Sequence, residues 1–215
     1  MINGPIPRRI AVDFDDTLAD VRDMLCRLIN YRDGTTFFPE DVKTWTYLYK
    51  ETDHGRAFWG AYDLMDATHL RRAIRPVSPF ACATVKWLQQ RGHSVEVVTA
   101  NHEKAIPDMV SWLFGHGLDC PVRAVGRIDA AEKAKLDYDL FLDDSPLLAE
   151  EVRRRALETG SKQRMVLVDR YHNRDLAWVR PLMGADSDWA VPTAHPVVRL
   201  LDWADARALF IRLGL

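Results

Sequence analysis

Short apolar runs alternate with helical stripes along most of the chain. Residues 10–12, "IAV", form such a run, which ends abruptly in the carboxylates of "AVDFDDTLAD". Further runs of this kind lie at 94–100, 122–125, 139–144 and 164–169. Between them, apolar residues recur every three or four positions, which indicates amphipathic helices. Strands separated by helices of roughly 10–15 residues favour βαβ units, so we predict an α/β fold with a Rossmann-like, doubly wound parallel sheet.

The segment between the first strand and its crossover helix has a different character. A helical stripe begins near Asp20, and residues 31–75 are rich in aromatic side chains interleaved with charges, without a strand pattern. We therefore predict one core made of residues 1–20 and 77–215. Residues 21–76 are expected to form a small helical cap inserted after the first strand.

Composition limits the domain size and the partners that this chain can have. A chain of 215 residues with 47% hydrophobic content can form one domain with an insertion. A net charge of −2 gives no broad basic field, so a nucleic-acid polymer is not an expected partner. No apolar run approaches the roughly 20 residues of a membrane span. Cys26, Cys82 and Cys120 are typical of reduced thiols, and we expect a cytoplasmic protein.

Acidic and hydroxyl side chains follow the predicted strands. The strand ends carry Asp13, Asp15, Thr99, Asp143 and Asp144. Ligands of open parallel sheets bind at the carboxyl ends of the strands, so these groups are expected to share one crevice. Clustered carboxylates repel one another unless protons or a cation compensate them. Their oxygen atoms suit Mg²⁺, with positions left for water and a phosphate, whereas the alternative is a set of solvated aspartates.

Four motifs in this order resemble those of the haloacid dehalogenase-like phosphatases. "DFDDT" at 13–17 resembles the DxDxT signature, "VEVVTAN" ends a strand in Thr99, "EKAK" supplies lysines, and "LDDS" ends the acidic strand. The resemblance covers essentially the whole predicted core. It implies that Asp13 attacks phosphorus to form an aspartyl-phosphate, and that Asp15 serves first as general acid and then as general base.

The same resemblance implies a ligand set for Mg²⁺. The ion would be bound by Asp13, by the main-chain carbonyl of Asp15 and by Asp144. Asp143 is expected to be its acidic neighbour and can also contribute. Thr99 would hydrogen-bond a phosphoryl oxygen.

A lysine is expected to neutralise the phosphate and the nucleophile. Lys133 and Lys135 compete for this role, with Lys104 a distant third. We favour Lys133 because it lies ten residues before Asp143, as the corresponding lysine does in the deoxyribonucleotidase branch. Asp16 is expected to be a bystander that faces solvent.

Longer stretches resemble the 5′(3′)-deoxyribonucleotidases of this superfamily. They are "IRPVSPFACATVKWLQQRGHSVEVVTAN", "VLVDRYHNRD" and "VVRLLDWADA". This implies a Mg²⁺-dependent phosphomonoesterase that acts on (deoxy)nucleoside monophosphates. The chain departs from that branch at Val21, where the family has an aromatic residue that contacts the base.

Substrate contacts are expected from the core and from the cap. A base stacked on an aromatic side chain gains roughly 1–3 kcal/mol, although the cap aromatics can equally form the cap's own small core. Arg71 and Arg72 can contact a phosphate or lie on the surface. The candidates for substrate contact are Thr99, Ala100, Asn101, Lys133, Trp45, Phe58, Trp59 and Tyr62.

Other functions remain compatible with the sequence. The same chemistry can act on a sugar phosphate or another small phosphometabolite. A nucleic-acid end phosphatase and a catalytically silent binding protein are weaker alternatives, because the net charge is acidic and the motif residues are intact. The expected partner is a small phosphomonoester, no membrane is expected, and the sequence leaves a homodimer open.

Overall fold

The computed structural model describes most of the chain. The residues described are 6–43, 53–126, 129–176, 178–179 and 196–215. Six strands form one sheet: β1 Arg9–Val12, β2 Ser94–Thr99, β3 Val122–Ala124, β4 Leu140–Asp143, β5 Arg164–Val168 and β6 Val197–Leu200. The helices are α1 Val21–Asp33, α2 Asp53–Ala67, α3 Pro79–Gln90, α4 Ile106–Gly115, α5 Ala130–Ala134, α6 Pro146–Thr159 and α7 Ala206–Arg212.

The strand order is β3-β2-β1-β4-β5-β6, and every described pairing is parallel. The chain runs from β1 outward through β2 and β3, and then returns to place β4 on the other side of β1. This reversal opens a crevice at the carboxyl ends of β1, β2 and β4, where parallel sheets bind ligands. The predicted fold class is confirmed.

The sheet is buried on both faces. Ile10 and Val12 belong to one apolar cluster, and Ala11 and Phe141 belong to a second. Neighbouring residues of a strand point to opposite faces, so helices on the two sides of the sheet produce two clusters. This explains why the strands read as continuous apolar runs rather than as alternating patterns.

Side-chain caps begin the helices that frame the crevice. Ser145 accepts a hydrogen bond from the Leu148 amide at the start of α6, directly after β4. Asp129 accepts one from the Glu132 amide and so begins α5, the short helix that carries Lys133. These caps satisfy amide groups that a first turn leaves without partners.

The segment between β1 and α3 is helical where it is described. It contains α1, α2 and 3-10 turns at Pro39–Asp41 and Leu70–Ala73, with isolated bridges that join Ala19 to Asp15 and to Pro76. Its Leu25 and Met65 lie in the same apolar cluster as the β1 residues. The division into a core of 1–20 and 77–215 and a cap of 21–76 stays a prediction. Among the described residues, none of the helices has the length and apolar character needed to cross a bilayer.

Candidate active site

Asp13 lies at the carboxyl end of β1 and is fixed there by the sheet. Its amide donates to the Leu142 carbonyl of β4 over 2.8 Å. Its carboxylate accepts a hydrogen bond from Lys133, with 2.9 Å between Nζ and Oδ1. The same ammonium lies 2.7 Å from Oδ2 of Asp143. Lys135 instead pairs with Glu132 at the surface, so the structure brings Lys133 to Asp13.

Three carboxylates converge beside this lysine. Oxygen atoms of Asp13, Asp143 and Asp144 lie within 4.8 Å of one another. Burial, together with the neighbouring carboxylates, raises the pKa of Asp13 and the pKa of Asp144 well above the ordinary range. Burial alone would lower the pKa of Lys133, but the charges of Asp13 and Asp143 outweigh it and raise that pKa. The lysine therefore stays charged.

The donor set fits a hard divalent cation. The Lys133 ammonium bonds two of the three converging carboxylates, Asp13 and Asp143, so negative charge remains for a further cation to compensate. Oxygen donors are the ligands that such a cation prefers. Asp143 is already engaged through both oxygens, because Oδ2 faces Lys133 and Oδ1 accepts from the Ser145 amide over 2.8 Å. Asp13 and Asp144 are thus the carboxylates best placed to bind a metal.

Asp15 is held by three donors from two parts of the chain. Its Oδ1 accepts from Nη1 of Arg71 over 2.8 Å. Its Oδ2 accepts from Nδ2 of Asn101 over 3.0 Å and from the Tyr62 hydroxyl over 3.1 Å. Arg71 is fully buried and also pairs with Asp66 over 3.0 Å. The segment between β1 and α3 therefore closes directly onto the carboxylate of Asp15.

The end of β2 supplies a buried hydroxyl. Thr99 Oγ1 accepts hydrogen bonds from the main-chain amide of Asn101 over 3.2 Å and from its Nδ2 over 2.8 Å. Because both bonds use oxygen lone pairs, the Thr99 hydroxyl hydrogen remains for another acceptor. Ala100, between the two residues, is exposed.

The aromatic candidates occupy different environments. Phe58 is 1% exposed and packs edge to face against Phe37, with 5.7 Å between ring centroids. This corrects its expected role, because a ring buried in the core offers no face to a base. Tyr62 reaches the site through its hydroxyl, and its ring lies 5.5 Å from that of Trp59. Trp45 lies outside the described residues.

Val21 and Arg72, two further residues considered for substrate binding, lie elsewhere. Val21, where the related branch has a base-contacting aromatic residue, is fully buried in the apolar cluster. Arg72 pairs with Asp108 over 2.6 Å rather than with a carboxylate of the site. Of the two neighbouring arginines, the structure brings only Arg71 to Asp15.

Asp16 is not a solvent-facing bystander. It is 6% exposed, its φ angle is 58°, and its carboxylate receives two hydrogen bonds from Arg22. The Arg22 amide donates to Oδ1 over 2.9 Å, and Nε donates to Oδ2 over 2.8 Å. Arg22 also contacts Nδ1 of His172, whose Nε2 lies 3.0 Å from Oδ2 of Asp144. The prediction for Asp16 was wrong because Arg22 reaches the Asp16 carboxylate only when the chain folds.

The negative charge of the buried Asp16 carboxylate is balanced by neighbouring guanidinium groups. Burial alone would raise the pKa of Asp16, but the guanidinium groups of Arg22 and Arg170 lower it below the usual range. Burial and the charge of Arg22 lower the pKa of His172 to about 3, so its imidazole is neutral at physiological pH. Sequence analysis missed Arg22 and His172, since "YHN" carried no chemical signal of its own.

Comparisons with known proteins identify the family and support the fold. The model of a family described as 5′ nucleotidase, deoxy (pyrimidine), cytosolic type C protein matches residues 7–183. The comparison with curated proteins finds no match. A HAD family hydrolase from Deinococcus radiodurans with bound phosphate and sodium is similar in fold. It has 12% identity and a TM-score of 0.56, and the match covers 97% of this chain and 96% of that chain.

A second similar structure is a predicted phosphoglycolate phosphatase from Haemophilus somnus. It has 17% identity and a TM-score of 0.57, and the match covers 95% of this chain and 98% of that chain. At these identities the two structures support the fold alone. The family model, in contrast, spans most of the chain. The chain therefore belongs to the 5′ nucleotidase, deoxy (pyrimidine), cytosolic type C family of haloacid dehalogenase-like phosphatases, and it is a phosphoric monoester hydrolase.

Proposed function

We propose that this enzyme hydrolyses (deoxy)nucleoside monophosphates in a Mg²⁺-dependent reaction that passes through an aspartyl-phosphate on Asp13. The observation that carries the proposal is the position of Asp13 at the end of β1. There the carboxylate lies beside the Lys133 ammonium and opposite Asp144. A carboxylate has no proton to lose before it attacks, which suits a nucleophile.

In the first half of the reaction, an oxygen of Asp13 attacks phosphorus and the bond to the ester oxygen breaks. Asp15 gives its proton to the departing alkoxide. In the second half, Asp15 takes a proton from water as that water attacks phosphorus, so inorganic phosphate leaves and Asp13 is regenerated. Lys133 and the Thr99 hydroxyl would stabilise the charge that spreads over the phosphoryl oxygens.

The residues that would hold Mg²⁺ are Asp13, Asp144 and the main-chain carbonyl of Asp15, with Asp143 adjacent. When bound, the ion would keep the carboxylates ionised and offset the charge of the phosphoryl group. Lys133 bonds both Asp13 and Asp143 and so offsets part of the repulsion between their charges. In this proposal the cation would bind Asp13 and Asp144, whereas the lysine bonds Asp13 and Asp143.

Asp15 must exchange one of its three donors for the ester oxygen of a substrate. Two of those donors, Tyr62 and Arg71, belong to the proposed cap of residues 21–76. Substrate entry would therefore part the cap from Asp15, and closure of the cap would orient the acid again. The leaving group would then lie next to Tyr62, Arg71 and Asn101.

A nucleoside is the leaving group that two observations favour. Tyr62 places an aromatic ring, with Trp59 beside it, next to the general acid. The matching family's description also names deoxy and pyrimidine specificity and a cytosolic type, and we extend both to this chain. A sugar phosphate is the second candidate. Arg71 and Asn101 would suit its hydroxyl groups, because they place polar donors around Asp15.

A substrate panel tests the proposal. Phosphate release would be measured with Mg²⁺ for all deoxyribonucleoside and ribonucleoside monophosphates and for a set of sugar phosphates. Asp13→Asn and EDTA should both abolish release. Asp137→Asn should leave it intact, because Asp137 is an exposed side chain before β4, away from the strand ends that form the site. Preference for a sugar phosphate over every nucleotide would overturn the nucleotide assignment.

A further inference from the structure

The turn that follows β5 contacts both the side chain and the backbone of Asp144. This 3-10 turn, Tyr171–Asn173, contributes two buried side chains to the same residue. Nε2 of His172 lies 3.0 Å from Oδ2 of Asp144. Nδ2 of Asn173 donates to the Asp144 carbonyl over 2.9 Å. Both the side chain and the backbone of Asp144 are therefore fixed by one short element.

The partners of the imidazole determine its tautomer. Nδ1 of His172 faces Nη1 of Arg22. A guanidinium can only donate hydrogen bonds, so Nδ1 must be the unprotonated acceptor. The ring proton then lies on Nε2, which is 3.0 Å from Oδ2 of Asp144 and 3.3 Å from its main-chain carbonyl oxygen. His172 thus transmits the position of Arg22 to Asp144 through a defined donor and a defined acceptor.

Arg22 is itself held rigidly. The Asp16 carboxylate accepts hydrogen bonds from the main-chain amide of Arg22 over 2.9 Å and from its Nε over 2.8 Å. Nε of Arg170 donates to the Asp16 carbonyl over 2.7 Å. Asp16, Arg22 and His172 are each less than a tenth exposed, so these contacts are largely shielded from solvent.

We propose that His172, oriented by Arg22 and Asp16, is a positioning residue that holds the Asp144 carboxylate in place for the metal. This rests on the proposed function, in which Asp144 binds Mg²⁺. In this position Nε2 contacts Oδ2 of the Asp144 carboxylate and leaves the other carboxylate oxygen for the ion. Groups that orient a ligand in this way typically affect metal affinity by about 10–100-fold.

A second metal site is the competing explanation for these residues. Ligand atoms of Asp16, Asp144 and His172 also lie within 4.8 Å of one another. However, the Arg22 guanidinium contacts both Asp16 and His172, and therefore supplies the cation from the chain itself. The geometry favours a positioning network over a second ion.

The test is direct binding of Mn²⁺, measured by electron paramagnetic resonance without substrate. His172→Leu removes the donor, His172→Gln retains a donor near the position of Nε2, and His172→Asn is too short to reach Asp144. We expect Leu and Asn to weaken Mn²⁺ binding by about 10–100-fold and Gln to restore most of the affinity. If the Leu variant does not fold, the comparison of Gln with Asn decides.

The matched control is His69→Gln, which changes another histidine that contacts a carboxylate. Nδ1 of His69 lies 3.1 Å from Asp108, which is not among the proposed metal ligands. This variant should bind Mn²⁺ like the wild type. Wild-type affinity in both His172→Leu and His172→Asn, or two Mn²⁺ ions per chain, would overturn the positioning role.

Asp144→Asn separates the two proposals. If it weakens Mn²⁺ binding while the His172 variants do not, only the positioning role fails. If the wild type binds no Mn²⁺, or Asp144→Asn binds it normally, the proposed metal site fails and the role of His172 fails with it.

Discussion

Nζ of Lys133 lies 2.9 Å from Oδ1 of Asp13, although 120 residues separate the two in the chain. The contact exists because β1 and β4 are neighbours in the sheet, and α5 ends just before β4. The ammonium also bonds Asp143, so a single buried positive charge serves two carboxylates. This arrangement makes the electrostatic environment of Asp13 depend on one side chain.

Replacement of this lysine should therefore lower activity strongly. We expect Lys133→Met to reduce kcat/KM by about 10²–10³-fold, because charge that develops on the phosphoryl group loses a preorganised donor. Phosphate release measures the effect. Lys135→Met is the control, since that side chain is 55% exposed and pairs only with Glu132 among the bonds described. Equal losses in the two variants would contradict the assignment of Lys133.

The pH dependence of stability should reveal the carboxylate cluster. The pKa values of Asp13 and Asp144 are raised in the folded, metal-free protein, mainly by burial. Each group then binds its proton more tightly in the folded state than in the unfolded chain. Folding is favoured at low pH, and this contribution is lost as the pH rises above about 4 and through the raised pKa values.

The measurement is Tm with EDTA and with Mg²⁺ between about pH 5 and pH 8. The Mg²⁺-induced rise in Tm should grow with pH, because protons compete with the ion for the same oxygens. Asp144→Asn removes one of these groups and should flatten the trend. A rise in Tm that is the same at every pH would show that the cluster does not bind the ion.

Arg71 should act on the reaction through Asp15. Its guanidinium is fully buried and bonds Asp15 and Asp66 together. Lysine retains the charge but not the fork of donors, so Arg71→Lys should lower kcat by about tenfold by misorienting the acid. The control is Arg72→Lys, at a half-exposed neighbour that pairs with Asp108. Steady-state kinetics in which both variants match the wild type would exclude this role.

The fold and the carboxylate-bearing strand ends could be predicted because their signals are local. Continuous apolar runs mark strands buried on both faces, and the motif aspartates follow those runs directly. The choice of Lys133 over Lys135 rested on the resemblance to the deoxyribonucleotidase branch, where the lysine has the same spacing from the acidic strand. The structure places these residues in one crevice, as the parallel topology requires.

The rest of the site depends on contacts between residues that lie far apart in the sequence. Asp16 and Arg22 have the residue types of a solvated surface, and nothing in their neighbourhood indicates that His172 will lie against them. The contact between Arg22 and His172 joins positions 150 residues apart. Phe58 shows a related ambiguity, since the sequence of an apolar stripe on a helix does not show whether the stripe faces a core or a ligand.

The buried Asp16–Arg22 pair should contribute far more to stability than an exposed pair of the same residue types. Asp16→Asn leaves a buried guanidinium without its counter-charge, so we expect the free energy of unfolding to fall by about 3–5 kcal/mol. Asp23→Asn is the matched control, because Asp23 pairs with the side chains of Arg27 and Arg75, which are 67% and 63% exposed. Such surface pairs contribute at most about 1 kcal/mol. Urea unfolding of the two variants gives the comparison, and a loss of under about 1 kcal/mol in both would show that Asp16 is the bystander its sequence context suggests.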